Sequence, residues 1–266
     1  MKRKMYAQES FYPESCEGCE AMFSDFNAKL DHALGENTLP NFTPRAVVVP
    51  HAGYLYSGYT ANFTYRMLQE KSAGKKRIIV LGKSEKARFL GISGSFYKKY
   101  KTPCGKLKID IDYLDMLRST CAVTFVEKAH KESVTEVQMP FIKYYLSELK
   151  VVELLYDDVE QAALEKLLSV ILFDEANIVV VCTNLGDLQE QKELGIIDAT
   201  YLNALSTLES ARLHEGCNAS GIVALKALIE SAKTSGLASQ ILNYQTSSIN
   251  TAEKVRVEGH LSVALY

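Results

Sequence analysis

His51, Ser84 with Glu85, Asn184 with Asp187, and Cys217 are the residues of this sequence whose types could do chemistry together. His51 comes directly after RAVVVP (45–50), Ser84 and Glu85 just past RIIVLGK (77–83), and Asn184 and Asp187 just past NIVVVC (177–182). Cys217 precedes the helical pattern that opens at Ala219, so it is expected at a helix N-terminus, where the dipole favours thiolate. If these loops converge, one pocket collects an imidazole, two carboxylates and a thiol. That donor set could ligate a divalent transition metal, whether iron, copper or zinc. Tyr54 and Tyr56 flank His51, either as ligand contacts or as an aromatic wall. A lone loop histidine is the plainer reading of His51, and Lys83 is placed to neutralise Glu85.

The elements that must position these residues follow from the apolar pattern. The runs 46–49, 77–81 and 177–182 are short, β-branched and apolar, as strands buried on both faces are. Pro50 ends the first ladder, and Ala52 and Gly53 allow a tight turn into a helix capped by Ser57. Further strands are expected at 92–100, 107–111, 151–155, 241–244 and 260–265. Helices are expected at 19–34, 113–119, 136–146, 159–171, 198–213 and 219–233. Pro140 should kink the 136–146 helix or begin a new segment. Strands alternating with helices predict an α/β fold, a three-layer sandwich around a mainly parallel sheet. The three buried strands should be central neighbours, with ligands at their carboxyl ends. No repeat or linker interrupts residues 1–266, so one domain is expected.

Composition narrows the classes. The chain has 266 residues, 47% hydrophobic and 23% charged, with a net charge of −2. That balance offers no electrostatic case for nucleic acid or an anionic membrane. No run approaches the roughly 18 apolar residues of a membrane span, and the basic N-terminus lacks the apolar core of a signal peptide. The cytoplasm is therefore the expected compartment. There the six cysteines, at 16, 19, 104, 121, 182 and 217, should mostly be thiols. Cys16 and Cys19 form C-x-x-C without a second pair to complete a zinc site. His130 and His214 are expected to be solvent-exposed, and His260 structural.

The motifs also resemble a known family. YPES (12–15), PHAGYLYSG (50–58), LGKS (81–84), TEVQMPF (135–141) and the Cys217 segment look like those of the Memo family, in the same order. That family supplies a component of AmmeMemoRadiSam systems, and its fold is similar to that of class III extradiol dioxygenases. The resemblance implies a metal pocket at His51 and Cys217. It also implies a radical-SAM protein and an AMMECR-type protein as partners. Family members typically read GPSHH where this chain reads GKSEK (82–86), so Glu85 falls on a pocket histidine. Ser133 stands at another histidine, and Asn184 at an aspartate, with Asp187 near a further histidine. Asn218 replaces a glycine. Two readings follow. Either His51, Glu85 and Cys217 still hold a metal, as in a metal-dependent oxidoreductase, or the pocket has degenerated and the protein binds a ligand or partner. Ring cleavage by an open iron needs two histidines and a carboxylate, and only one pocket histidine remains.

Overall fold

The structure is a computed structural model that describes residues 2–186, 189–214, 217–250 and 255–266. In chain order the elements are β1 (Lys2–Arg3), α1 (Cys16–Leu34), β2 (Ala46–Val49), α2 (Tyr54–Lys71), β3 (Arg77–Lys83), β4 (Gly91–Gly94), β5 (Lys99–Thr102) and β6 (Gly105–Lys108). There follow α3 (Ile111–Cys121), α4 (Met139–Tyr145), β7 (Lys150–Asp157), α5 (Gln161–Phe173), β8 (Asn177–Cys182), β9 (Gln189–Glu190), α6 (Gln191–Thr207), α7 (Ile222–Thr234), β10 (Ser239–Asn250) and β11 (Val255–Leu265).

The larger sheet runs β10-β11-β2-β8-β3-β7-β4. Its middle strands β2, β8, β3 and β7 are parallel, flanked by antiparallel β11 and β4. The three apolar runs are neighbours at the centre, as expected. Every residue of β2 and β8 is buried, which is why both read as unbroken apolar strings rather than alternating ones. The crossover from β2 through α2 to β3 runs along the sheet in one direction. The crossover from β7 through α5 to β8 runs back the other way. With both right-handed, α2 and α5 fall on opposite faces. The strand order therefore reverses between β2 and β8, and their carboxyl ends form a switch point.

Several boundaries differ from expectation. The run 92–100 splits, because β4 pairs with β7 in the large sheet while β5 leaves to join β1 and β6 in a three-stranded sheet. Pro140 begins α4 after a short 3-10 turn at Glu136–Gln138; its missing N–H costs nothing there. The last two strands form a hairpin far longer than the apolar stretches at its base, since register 239–250 against 255–265 is held by backbone bonds. Helix α6 ends at Thr207, where Leu208 turns to φ 53°.

The cysteines depart from the expectation of thiols. Cys16, at the first residue of α1, and Cys104, in the β5–β6 turn, are joined by a disulfide across a sequence separation of 88. Nothing in a C-x-x-C spacing announces a partner so distant. Cys19, Cys121, Cys182 and Cys217 remain thiols. Among the described residues, no helix is long and apolar enough to cross a membrane.

Candidate functional site

At the switch point the backbone itself sets the geometry. Thr183 N–H donates to Val49 O at 2.9 Å, locking the end of β8 to the end of β2. The next residue, Asn184, accepts from His51 N–H through Oδ1 at 2.9 Å. Its Nδ2 donates to Glu258 Oε1 at 3.0 Å. One amide side chain thus ties the loops after β2 and β8 to β11. Gln138 supports the same peptide from below, donating Nε2–H to Pro50 O at 2.9 Å, while Tyr65 OH holds Gln138 Oε1 at 3.1 Å.

His51 is 5% exposed. Burial, and then the nearby His260, push its pKa down to about 4, so the imidazole is neutral at pH 7. Nε2 lies 3.2 Å from Glu85 Oε1, which makes Nε2–H the donor of the neutral ring, and Nδ1 is buried without a partner. Glu85 is brought here by Glu132, whose buried Oε2 accepts from the backbone N–H groups of Glu85 and Lys86 at 2.8 and 3.0 Å. Gly82, just before the loop, has no room for a side chain: a Cβ there would meet Val134 Cγ1 at 2.6 Å.

A second imidazole sits beside the first. His260 is fully buried on β11, with Nε2 2.8 Å from Ser247 Oγ and 3.9 Å from Glu258 Oε2. Burial lowers its pKa to about 4, and its Nδ1 is also without a partner. His260, expected to be structural, thus lies at the site, together with Glu258, Glu132 and Gln138, which no sequence motif marks as site residues. The available signal was the spacing of Glu258 and His260, i and i+2 on a strand, which puts both on one face.

The other expected site residues fall elsewhere. Ser84 is buried and closes its own turn, donating to Ala87 O at 2.8 Å. Tyr54 is buried in α2, donates to Val137 O at 2.7 Å and packs its ring on Phe141. It serves the core under the loop, and Tyr56 is the exposed member of the pair. Cys217 does not open a helix, because α7 starts at Ile222. Its backbone N–H bonds His214 O at 3.2 Å and its thiol meets Tyr201. Burial pushes that thiol up, against smaller lowering by Tyr201 and Lys226, so the expected thiolate is not favoured. Asp187 lies outside the described residues. Lys83 does not pair with Glu85 among the described residues; His51 does. His214 is exposed as expected, but His130 is wholly buried, between Ser93 Oγ at 2.9 Å and Glu153 Oε2 at 3.1 Å.

Whether a transition metal fits can be read from the donors. Among the described residues, His51, Glu85 and Cys217 do not form a set whose ligand atoms all lie within 4.8 Å of one another. Cys16, Glu20 and Cys104 do, but the disulfide takes both sulfurs. A tight site uses about three or four convergent donors, and among the described residues the His51 pocket does not bring such a set together.

An open, doubly wound α/β sheet with its polar site at a switch point defines a broad class of ligand-binding folds. Within it, this chain belongs to the Memo-like protein family, whose model matches residues 3–264. It is similar to a MEMO1 family protein of Methanococcus maripaludis, 26% identical over 99% of each chain. A MEMO1 family protein of Aquifex aeolicus is 25% identical over 96% of this chain and 95% of its own. One of Thermoplasma acidophilum is 27% identical over 99% and 98%.

Proposed function

We propose that this Memo-family protein is a ligand- or partner-binding member with a degenerate metal pocket, acting beside a radical-SAM protein and an AMMECR-type protein. The observation that carries the reading is the His51–Glu85 contact at 3.2 Å. A carboxylate stands where the family resemblance places an imidazole, and it engages His51, the histidine of the PHAGY motif. The neutral ring keeps a buried Nδ1 acceptor without a partner, and the Glu85 and Glu258 carboxyls lie beside the two loops. A small ligand bearing hydroxyl or amine donors suits that environment.

The test is titration of zinc, copper(II) and iron(II) into metal-free protein and into His51→Ala and Cys217→Ser variants. Weak or undetectable binding is expected in all three proteins. The competing oxidoreductase reading, with His51, Glu85 and Cys217 as ligands, requires stoichiometric binding tighter than about 1 µM, worth roughly 8 kcal/mol, that both substitutions abolish. That result would overturn the proposal.

A further inference from the structure

The three-stranded sheet β1-β5-β6 has two faces of opposite character. Inward it buries Arg3, Tyr100, Thr102 and Leu107. Outward, every side chain on its strands is a lysine: Lys2, Lys99, Lys101, Lys106 and Lys108 are all exposed. The register sets them directly opposite one another, Lys2 against Lys99, Lys99 against Lys108, and Lys101 against Lys106. Like charges facing across a ladder are destabilising. Elsewhere lysines find carboxylates, as Lys29, Lys131, Lys150 and Lys233 do. Among the described residues these five make no ion pair. With Arg3 and Lys4, four of them line a cavity of about 360 Å³.

We propose that this face binds a small, multiply charged phosphate anion of the oligophosphate class. Lysines facing each other across β5 and β6 have Cβ atoms about 5 Å apart, and their flexible stems let several ammonium groups meet one compact anion. The cavity has the size of a small-molecule site. Lysine offers three donors and a point charge suited to phosphate oxygens. A bound polyanion relieves repulsion that the fold otherwise carries. The flank argues against a long polymer or a membrane. The disulfide anchors the start of α1 to the β5–β6 turn, and with it the exposed Glu14, Glu17 and Glu20. An extended polyanion laid across the lysines would run into this acidic rim.

The experiment is calorimetric titration of the full chain with sodium tripolyphosphate, alongside a single-stranded RNA oligonucleotide and phosphatidylserine vesicles. Tripolyphosphate should bind at one site and weaken as salt rises, because exposed charges are screened within about 10 Å at 0.1 M. Lys99→Gln with Lys106→Gln should cost at least about tenfold in affinity, or 1.4 kcal/mol. That double variant should melt no lower than the parent in the absence of anion, since it removes repulsion. Lys101→Gln gives a milder second variant, which should lose less affinity and likewise melt no lower than the parent. No binding of tripolyphosphate, affinity unchanged in both variants, or tighter binding of RNA or vesicles overturns the proposal.

Discussion

His51 and His260 show what burial does to a single ionisable side chain. Both have pKa values lowered to about 4 from the 6.5 of a free imidazole, burial being the first cause in each case. The unfolded chain therefore binds protons between pH 6.5 and 4 that the folded chain refuses. Stability is complete above pH 6.5 and falls as the pH drops through that window, by up to about 3 kcal/mol for each imidazole. Urea unfolding at several pH values should show the fall, and His260→Gln should make it shallower by one titrating group. An unchanged slope in the variant would mean that His260 is not buried neutral. Glu153 adds to the acid sensitivity below this range. Burial works to raise its carboxyl, yet His130, Arg3 and Thr135 together hold it at about 2. The Ser93–His130–Glu153 chain has the order of a catalytic triad, but all three side chains are fully buried, so it supports packing rather than chemistry. His51 was legible because a proline and a small-residue turn follow an apolar strand. His130 and His260 were not, because burial of a histidine depends on partners distant in sequence.

Among the elements, the N-terminal arm bears most directly on the site. The buried Arg3 guanidinium pairs with Glu136 and donates to Glu132 O at 3.0 Å. Glu136 also accepts from Tyr12 OH at 2.6 Å and from the backbone N–H groups of Tyr6 and Ala7 at 2.7 and 2.8 Å. Glu132 in turn holds the Glu85 loop. The TEVQMPF segment thus works as a bracket: Thr135 grips Glu153, Glu136 the arm, and Gln138 the peptide before His51. Arg3→Ala leaves a buried carboxylate without its cation and should cost about 3 to 5 kcal/mol, measured by urea unfolding at pH 7. Arg3→Lys should recover only part of this, since an ammonium cannot reproduce the fork of donors. A loss under about 1 kcal/mol, the range of an exposed pair, would show that the arm is not bolted down. From sequence the arm reads as irregular, because a two-residue strand has no periodicity. The motif was legible, but not its purpose, since each residue in it points to a different partner.

For the whole molecule, the central sheet was the readable part, because strands buried on both faces announce themselves as apolar runs. The covalent topology was not readable. The Cys16–Cys104 bond spans a loop of 88 residues, for which chain entropy predicts about 4 to 5 kcal/mol of stabilisation. Denaturation of the oxidised protein against the Cys16→Ser, Cys104→Ser double variant should show a loss of that order. Equal midpoints would mean that the bond does not constrain the unfolded chain.

The same bond has a mechanical consequence. Residues 16 to 104 include β2 with the approach to His51, all of α2, and β3 with the Glu85 loop. Pulled from its two ends, the oxidised chain cannot pay out this segment, because tension passes across the sulfurs. Its fully stretched length should fall short of the reduced chain by about 300 Å, at roughly 3.4 Å for each of the 88 sequestered residues. Single-molecule extension with and without a thiol reductant would measure that difference. Under load the oxidised protein would release its C-terminal hairpin and α7 while this looped segment bears no tension along its own backbone.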